Sequence, residues 1–314
     1  MPPKILVISG PTASGKTALA VELALRHNGE VVSADSMQIY RRMDIGTAKP
    51  TAEEMGGVPH HMIDVADPEE DFSAARYVDM AARCVDDILA RGKLRVLAGG
   101  TGLYIDSLLS GRTFAAFSPD SPLRGELEEQ LRREGGQAML DRLARVDPET
   151  AVRLHPNDAK RIIRALEVYF TTGRTITQHN RETQALPPRY DALTLTLAFG
   201  RREDMWARID RRVDQMMEKG LEGEVRALLA SGVPERCTAM QAIGYKEMAA
   251  ALRSGGDVRA AAEEIKLRSR QYAKRQLTWF RRNPKARWLF WEERPDFANA
   301  CQRSTEYMEE FGIG

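Results

Sequence analysis

The run Gly10-Pro11-Thr12-Ala13-Ser14-Gly15-Lys16-Thr17 has the spacing GxxxxGK[ST], an arrangement that wraps an anion in backbone N–H groups. Its chemistry is phosphate binding. Glycines let the chain curl round the oxygens, a following helix adds its positive end, Lys16 reaches terminal phosphate oxygens, and the Thr17 hydroxyl is placed to ligate Mg²⁺. The pattern does not say whose phosphates are held: a nucleoside triphosphate is the default, and any diphosphate ester presents the same oxygens. Two more polar groups belong to the same problem. Asp35, in Ser33-Ala34-Asp35-Ser36-Met37-Gln38-Ile39-Tyr40, reads as a turn or cap carboxylate, a general base or an indirect Mg²⁺ ligand. Thr101, in Gly99-Gly100-Thr101-Gly102, reads as a cap or as a hydroxyl facing the bound phosphates. Phosphoryl-transfer enzymes with such a loop commonly end a hydrophobic strand with an Mg²⁺-holding aspartate. Here Arg95-Val96-Leu97-Ala98 runs into Gly-Gly-Thr, which weakens an ATPase reading and lets a large or planar group approach the backbone.

These groups meet only if the intervening elements bring them together. Lys4 to Ser9, Glu30 to Ala34 and Leu94 to Ala98 have strand character, and Thr17 to Arg26 and Ala74 to Ala90 have helical periodicity. That alternation predicts a parallel sheet covered by helices. Ligands of such sheets sit outside the carboxyl ends of the strands, where residues 10–17, Asp35 and Thr101 fall. From the turn cluster Ser118-Pro119-Asp120-Ser121-Pro122 the pattern becomes helical, and it closes near Leu186-Pro187-Pro188-Arg189-Tyr190. Leu193 to Phe199, alternating apolar residues with threonine, returns to the sheet. Glu203 to Arg282 is helical, and Trp288 to Trp291 adds a short extended segment. The expected architecture is α/β: a P-loop parallel-sheet core flanked by helices over residues 1–118 and 193–314, with an inserted all-helical domain over 119–192.

Composition narrows the class. With 314 residues, 43% of them hydrophobic, the chain buries ordinary cores and is not disordered. No apolar run approaches the roughly 18 to 20 residues that span a bilayer, and Met1-Pro2-Pro3-Lys4 leads straight into a strand without a signal or transit segment, so a soluble cytoplasmic protein is expected. Cys84, Cys237 and Cys301 lie far apart without CxxC spacing, which supports neither a disulfide framework nor a zinc module. His60-His61 is no metal pair either, because adjacent strand residues point to opposite faces.

The formal net charge of +1, from 46 Lys and Arg against 45 Asp and Glu, speaks against a nucleic-acid partner until the charges are placed along the chain. Glu53 to Asp87 holds ten acidic residues and two basic ones; Lys266 to Arg287 holds nine basic residues and no acid. The basic block carries Tyr272, Trp279 and Phe280 among its cations on a helix, a surface able to neutralise phosphates while an aromatic stacks, although Trp279 and Phe280 read rather as core. A second basic cluster, His155 to Glu167, sets Lys160 and Arg164 on one helix face, and an amphipathic surface helix explains it equally well.

Seven ordered motifs now carry a resemblance: Gly10 to Thr17; Ser33 to Pro50; Gly57-Val58-Pro59-His60-His61-Met62-Ile63-Asp64; Gly99 to Tyr104; Asp158 to Glu167; Ala242-Ile243-Gly244-Tyr245-Lys246-Glu247; and Arg270 to Arg281. Together they resemble the bacterial tRNA dimethylallyltransferases (tRNA isopentenyltransferases) from Ile5 to Trp291. The resemblance implies transfer of a dimethylallyl group from dimethylallyl diphosphate, with Mg²⁺, to N6 of the adenosine just 3′ of the anticodon in tRNAs reading UNN codons. It implies catalytic roles for Asp35 as base, for Thr101 beside it, and for Arg208, with Arg211 and Arg212 as alternatives for the arginine. The P-loop, Gly10, Pro11, Thr12, Ala13, Ser14, Gly15, Lys16 and Thr17, would hold the diphosphate, Thr17 with the metal. It implies tRNA contacts at Asp35, Ser36, Met37, Gln38 and Thr101; at Ala159, Lys160, Arg161, Ile162 and Ile163; at Met240, Gln241, Ala242, Ile243, Gly244 and Tyr245; and at Ala273, Lys274, Arg275, Gln276, Leu277, Thr278, Trp279 and Phe280. Core and insertion would clamp an anticodon stem-loop, in a monomer lacking the zinc finger of the eukaryotic members. Rival classes are an ATP-dependent small-molecule phosphotransferase, a nucleotide-dependent RNA-binding module, and the plant enzymes that prenylate free adenine nucleotides.

Overall fold

The computed structural model describes residues 2–111, 114 and 121–313; Ser118, Pro119 and Asp120 of the expected turn cluster lie outside them. A parallel sheet is formed by β1 (Lys4–Ser9), β2 (Gly29–Ser33), β3 (His60–His61), β4 (Leu94–Gly99), β5 (Asp191–Phe199) and β6 (Arg287–Trp291), in the spatial order β3-β2-β4-β1-β5-β6. Its helices are α1 (Lys16–Arg26), α2 (Ala52–Met55), α3 (Ala74–Ala90) and α4 (Gly102–Ser110). Then come α5 (Pro122–Val146), α6 (Pro148–Ala151), α7 (Ala159–Thr172) and α8 (Ile176–Gln184), and after β5, α9 (Arg202–Glu218), α10 (Leu221–Ala230), α11 (Tyr245–Ser254), α12 (Val258–Phe280) and α13 (Phe297–Phe311).

Helices cover both faces of this sheet, so its central strands are near-continuously apolar. Ile5, Leu6, Val7 and Ile8 of β1 are fully buried, as are Val96 and Leu97 of β4. The threonines of β5 are buried too. Thr196 is satisfied there, its hydroxyl lying 2.8 Å from that of Ser9 on β1. Because β2, β4 and β1 are adjacent, the loops that follow them emerge side by side. The expected βαβ start therefore does what a functional site needs.

One stretch expected to be helical is so in several pieces, and one further helix was not expected. The stretch from Glu203 to Arg282 is four helices and a 3₁₀ turn at Ala239–Gln241, separated by glycine-containing turns. Beyond β6, α13 packs on α1, a helix with no strong sequence pattern to announce it.

The chain divides into two compact units, Met1–Leu109 with Arg189–Gly314, and Ser110–Pro188. The second has its own core around Leu127, Met139, Leu143, Ile162, Ile163 and Leu166. Within it the buried Asp147 carboxylate accepts bonds from the backbone N–H and the hydroxyl of both Thr150 and Thr177, which hold its pKa below the ordinary value against the cost of burial.

Candidate active site

The phosphate loop is a strained turn bolted in place from three sides. Ala13 (φ 61°) and Gly15 (φ 85°) sit in the left-handed region, costly for alanine and free for glycine, and α1 starts at the next residue. Arg208 Nε on α9 donates to the Ala13 carbonyl at 2.8 Å, and Trp291 Nε1 on β6 donates to the Ser14 carbonyl at 2.7 Å. Gln276 on α12 fastens the third side: its Oε1 accepts from Thr12 N at 2.9 Å while its Nε2 donates to the Gly100 carbonyl at 2.9 Å. One buried amide thus joins the loop after β1 to the loop after β4.

With carbonyls drawn outward by these donors, the first N–H groups of α1 have no intrahelical partner and are available to an anion. Lys16 Nζ donates to Pro11 O at 3.3 Å. Burial pushes the pKa of its ammonium down to about 8, the Arg212 charge adding to the effect and Asp35 opposing it. Burial also lowers the pKa of Arg212, whose Nε is enclosed without a hydrogen-bond partner, as is Ser14 Oγ in the loop. Desolvated cations beside unpartnered polar atoms are what a bound anion relieves. Arg208 and Arg212 lie one turn apart on the face of α9 turned to the loop, whereas Arg211 is exposed and bonds back to Ala207 O of its own helix. The arginine positions named from the sequence therefore resolve into two that face the loop and one that does not.

Thr17 stands in the first turn of α1, and among the described residues no cluster of three His, Cys, Asp or Glu forms a metal cage. A single hydroxyl fits a hard cation such as Mg²⁺ whose remaining oxygen ligands arrive with the substrate. His60 and His61 are otherwise engaged: His60 Nδ1 lies 2.8 Å from Val58 O, and His61 Nε2 lies 2.8 Å from Glu30, a buried carboxylate that also receives Arg91 and Lys93.

At the end of β2, Asp35 Oδ1 accepts from Met37 N at 2.9 Å and Gln38 N at 3.4 Å, so one oxygen makes the turn that its residue type promised. Its charge is felt by Lys16, Arg212 and Tyr272, which places it between the phosphate loop and α12. Burial, with Asp35 next in effect, raises the Tyr272 pKa to about 12, and bonds with Thr101 and Gln276 partly offset this. Thr101 stands just before α4, its carbonyl accepting from Ile105 N at 3.2 Å, and its side chain is turned to the neighbouring loop. Its hydroxyl accepts from Ser36 N at 3.0 Å and donates to Ser36 Oγ at 3.3 Å, while Thr101 N donates to Ala34 O at 3.0 Å. Thr101 thus locks the loop after β4 to the loop after β2, one residue beyond Asp35.

Burial sorts the remaining candidates. On α12, Lys274, Arg275 and Thr278 are exposed and Ala273, Gln276 and Phe280 are buried. Trp279 is half-buried, donates from Nε1 to Asp106 at 2.8 Å and leaves no room for a β-carbon at Gly102; the Arg282 guanidinium lies 5.0 Å from its ring centroid. Between Met240 and Tyr245 the side chains of Met240, Ala242 and Tyr245 are buried, and Gln241 is exposed. In the second unit Lys160 and Arg161 open α7 on the surface, whereas Ile162 and Ile163 fill that unit's core. The resemblance named whole segments; only part of each of these three exposes its side chains. Sequence reasoning missed Trp291 and Glu224, which act through contacts more than 170 residues away along the chain.

The profile of the IPP transferase family matches residues 38–283. The tRNA dimethylallyltransferase of Acetivibrio thermocellus is 44% identical over 309 residues, covering 98% of each chain, and that of Geobacter sulfurreducens is 48% identical over 311 residues, covering 98% of this chain and 97% of its own. Among solved structures, the full-length tRNA isopentenylpyrophosphate transferase of Bacillus halodurans superposes with a TM-score of 0.72 at 42% identity, over 98% of this chain and 97% of its own. A eukaryotic dimethylallyltransferase acting on tRNA reaches 0.83 at 30% identity, over 99% of this chain and 80% of its own. A phosphate loop, a strand-end carboxylate and a basic aromatic helix in one fold, with kinship along nearly the whole length, place this chain in the IPP transferase family.

Proposed function

We propose that this chain transfers a dimethylallyl group from dimethylallyl diphosphate to N6 of the adenosine just 3′ of the anticodon in tRNAs reading UNN codons, releasing diphosphate and working as a cytoplasmic monomer without zinc. The observation that carries the reading is Asp35, a carboxylate held between the phosphate loop and a basic helix at the end of β2. The names of the relatives support the same donor and acceptor. A phosphotransferase would share the phosphate loop, but the strand end where such enzymes commonly hold Mg²⁺ with an aspartate reads Ala98-Gly99-Gly100-Thr101 here.

The N–H groups of α1, Lys16 and the loop-facing arginines Arg208 and Arg212 bind the diphosphate and meet the charge that builds on it as its bond to the allylic carbon breaks. Thr17 would hold Mg²⁺ together with oxygens of the substrate, and the ion, when bound, would supply further stabilisation of that leaving group. Adenine N6 is a weak nucleophile because its lone pair is delocalised into the ring. Asp35 removes the N6 proton as the C–N bond forms, and the electron pair of the breaking C–O bond leaves with the diphosphate. Thr101, through Ser36, fixes the loop that carries this base. The acceptor adenine must leave its stack to arrive there, at a cost of about a few kcal/mol that is least in a single-stranded loop.

RNA phosphates are met by the exposed cations of α12 and, on the second unit, by Lys160 and Arg161. Lys274→Ala is expected to weaken stem-loop binding and to reduce the slope of log K against log salt by about 0.7 to 0.9. Binding isotherms at several salt concentrations measure it, and an unchanged slope removes Lys274 from the phosphate contacts. The acceptor is tested by offering an anticodon stem-loop and free AMP in parallel with dimethylallyl diphosphate and Mg²⁺. Prenylated adenosine in the RNA alone agrees with the proposal; prenylated AMP assigns the chain to the free-nucleotide class.

A further inference from the structure

The loop that leaves β2 runs from Asp35 to Lys49 with little regular structure, yet it must present Asp35 and Gln38 in fixed positions. What fixes it comes from far along the chain. Glu224, in the first turn of α10, directs its carboxylate at the turn 44–46: Oε2 accepts from Asp44 N and Ile45 N, both at 2.8 Å, and Oε1 accepts from Gly46 N at 3.1 Å. The fourth donor is the hydroxyl of Tyr245, at 2.5 Å from Oε1. Two carboxylate oxygens offer about four lone-pair sites, and here four donors fill them. Tyr245 is fully buried, and its ring lies where a β-carbon on residue 46 would go, so only glycine lets the turn approach α11. An acid in the first turn of a helix ordinarily faces solvent and complements the dipole; this one is spent on another segment's backbone.

The turn passes its position on. Thr47 and Ala48 carbonyls accept from Gln38 Nε2 at 3.4 and 3.2 Å, and Gln38 Oε1 accepts from Ser33 Oγ at 3.3 Å. Both amide protons and one lone pair are thereby committed, which sets the plane of the amide and leaves Oε1 one lone pair for a donor on an incoming ligand. Lys49, bonded to Tyr40 O and paired with Asp44 and Asp64, closes the same loop from its other end.

We infer that Glu224, with Tyr245, is a positioning residue for RNA recognition: it holds the turn 44–46 so that Gln38 meets the acceptor loop in one orientation. The inference rests on the RNA contact proposed at Gln38. It also gives Tyr245 a place in recognition that its burial otherwise forbids, acting through Glu224 rather than on RNA.

Glu224→Gln keeps shape and size but replaces one acceptor oxygen with an NH₂ that faces backbone N–H groups. Measured with an anticodon stem-loop at saturating dimethylallyl diphosphate, kcat/KM for the stem-loop is expected to fall about tenfold or more, with KM for the diphosphate unchanged. Tyr245→Phe, which removes one donor and keeps the ring, is expected to give a smaller loss in the same parameter and serves where the first variant folds poorly. The deciding measurement is the double-mutant cycle with Gln38→Ala. If Glu224 acts through Gln38, the pair loses no more than Gln38→Ala alone. Losses that multiply, or a fall in kcat alone that tracks a smaller folded fraction in thermal melts, overturn the inference while leaving the contact at Gln38 standing. A Gln38→Ala variant with wild-type kcat/KM removes that contact and the inference together.

Discussion

Asp35→Asn is expected to lower the single-turnover rate of prenyl transfer about 10²- to 10⁴-fold, the range that a positioned general base contributes, and to leave stem-loop affinity nearly unchanged. Asparagine is the informative replacement because Asp35 has two duties. Its Oδ1 accepts from Met37 N and Gln38 N, and an amide oxygen continues to do so, so the turn survives. What asparagine cannot do is take a proton from N6. Alanine would remove the base and loosen the turn that carries Ser36, Met37 and Gln38, mixing chemistry with recognition. Rapid-quench assays with enzyme in excess of RNA separate the two, and equal chemical rates for variant and wild type would take the role of base away from Asp35.

Lys16→Ala is expected to reduce kcat/KM for dimethylallyl diphosphate about 10²- to 10³-fold, the usual effect of deleting one donor to a developing negative charge. A pH profile tests the same group without mutation. The fold lowers the Lys16 pKa to about 8, with burial the main cause, so the free enzyme carries the charge below that pH and loses it above. Log kcat/KM for the diphosphate should therefore bend downward as pH rises through about 8. The bend should be missing from kcat, because the bound diphosphate is itself a counter-charge that keeps the lysine protonated. The stability effect has the opposite sense. A lysine that binds its proton less tightly in the fold than in the unfolded chain costs stability while charged, and the cost is relieved as pH rises from about 8 toward 10.5. An alkaline limb that persists unchanged in Lys16→Ala would assign the titration to another group.

What the sequence made legible was local. Gly10 to Thr17 is a pattern in which every functional atom belongs to eight consecutive residues, and strand and helix flank it as their periodicities say. The strand ends at Asp35 and Thr101 were found by the same logic, since each follows an apolar run whose end is visible. Thr101 shows where that logic stops. Its hydroxyl binds Ser36, a pairing made by the adjacency of β2 and β4, and no spacing along the chain encodes it.

The linking role of Gln276, which the resemblance named only as an RNA contact, and the part played by Glu224 were opaque for the same reason. One is an amide in a basic helix and the other an acid in a first helical turn, ordinary surface residues by composition, and their partners lie about half the chain or more away. β3 is two residues long, too short for any period to register. At Ile162, Ile163, Met240 and Tyr245 the segments that the resemblance named carry buried side chains, because burial alternates within a helix or turn and a segment name does not.

The central claim is that the phosphate loop holds a prenyl diphosphate and that an adenine of RNA takes the prenyl group from it. The most direct measurement is a single-turnover reaction with dimethylallyl diphosphate labelled in the prenyl group, Mg²⁺ and an anticodon stem-loop carrying three adenosines at the target site, with ATP offered in a parallel reaction. The account predicts one label on the adenine N6 of the stem-loop for each diphosphate released, and no turnover of ATP. Unmodified RNA together with hydrolysis of ATP or transfer of its phosphate would contradict it.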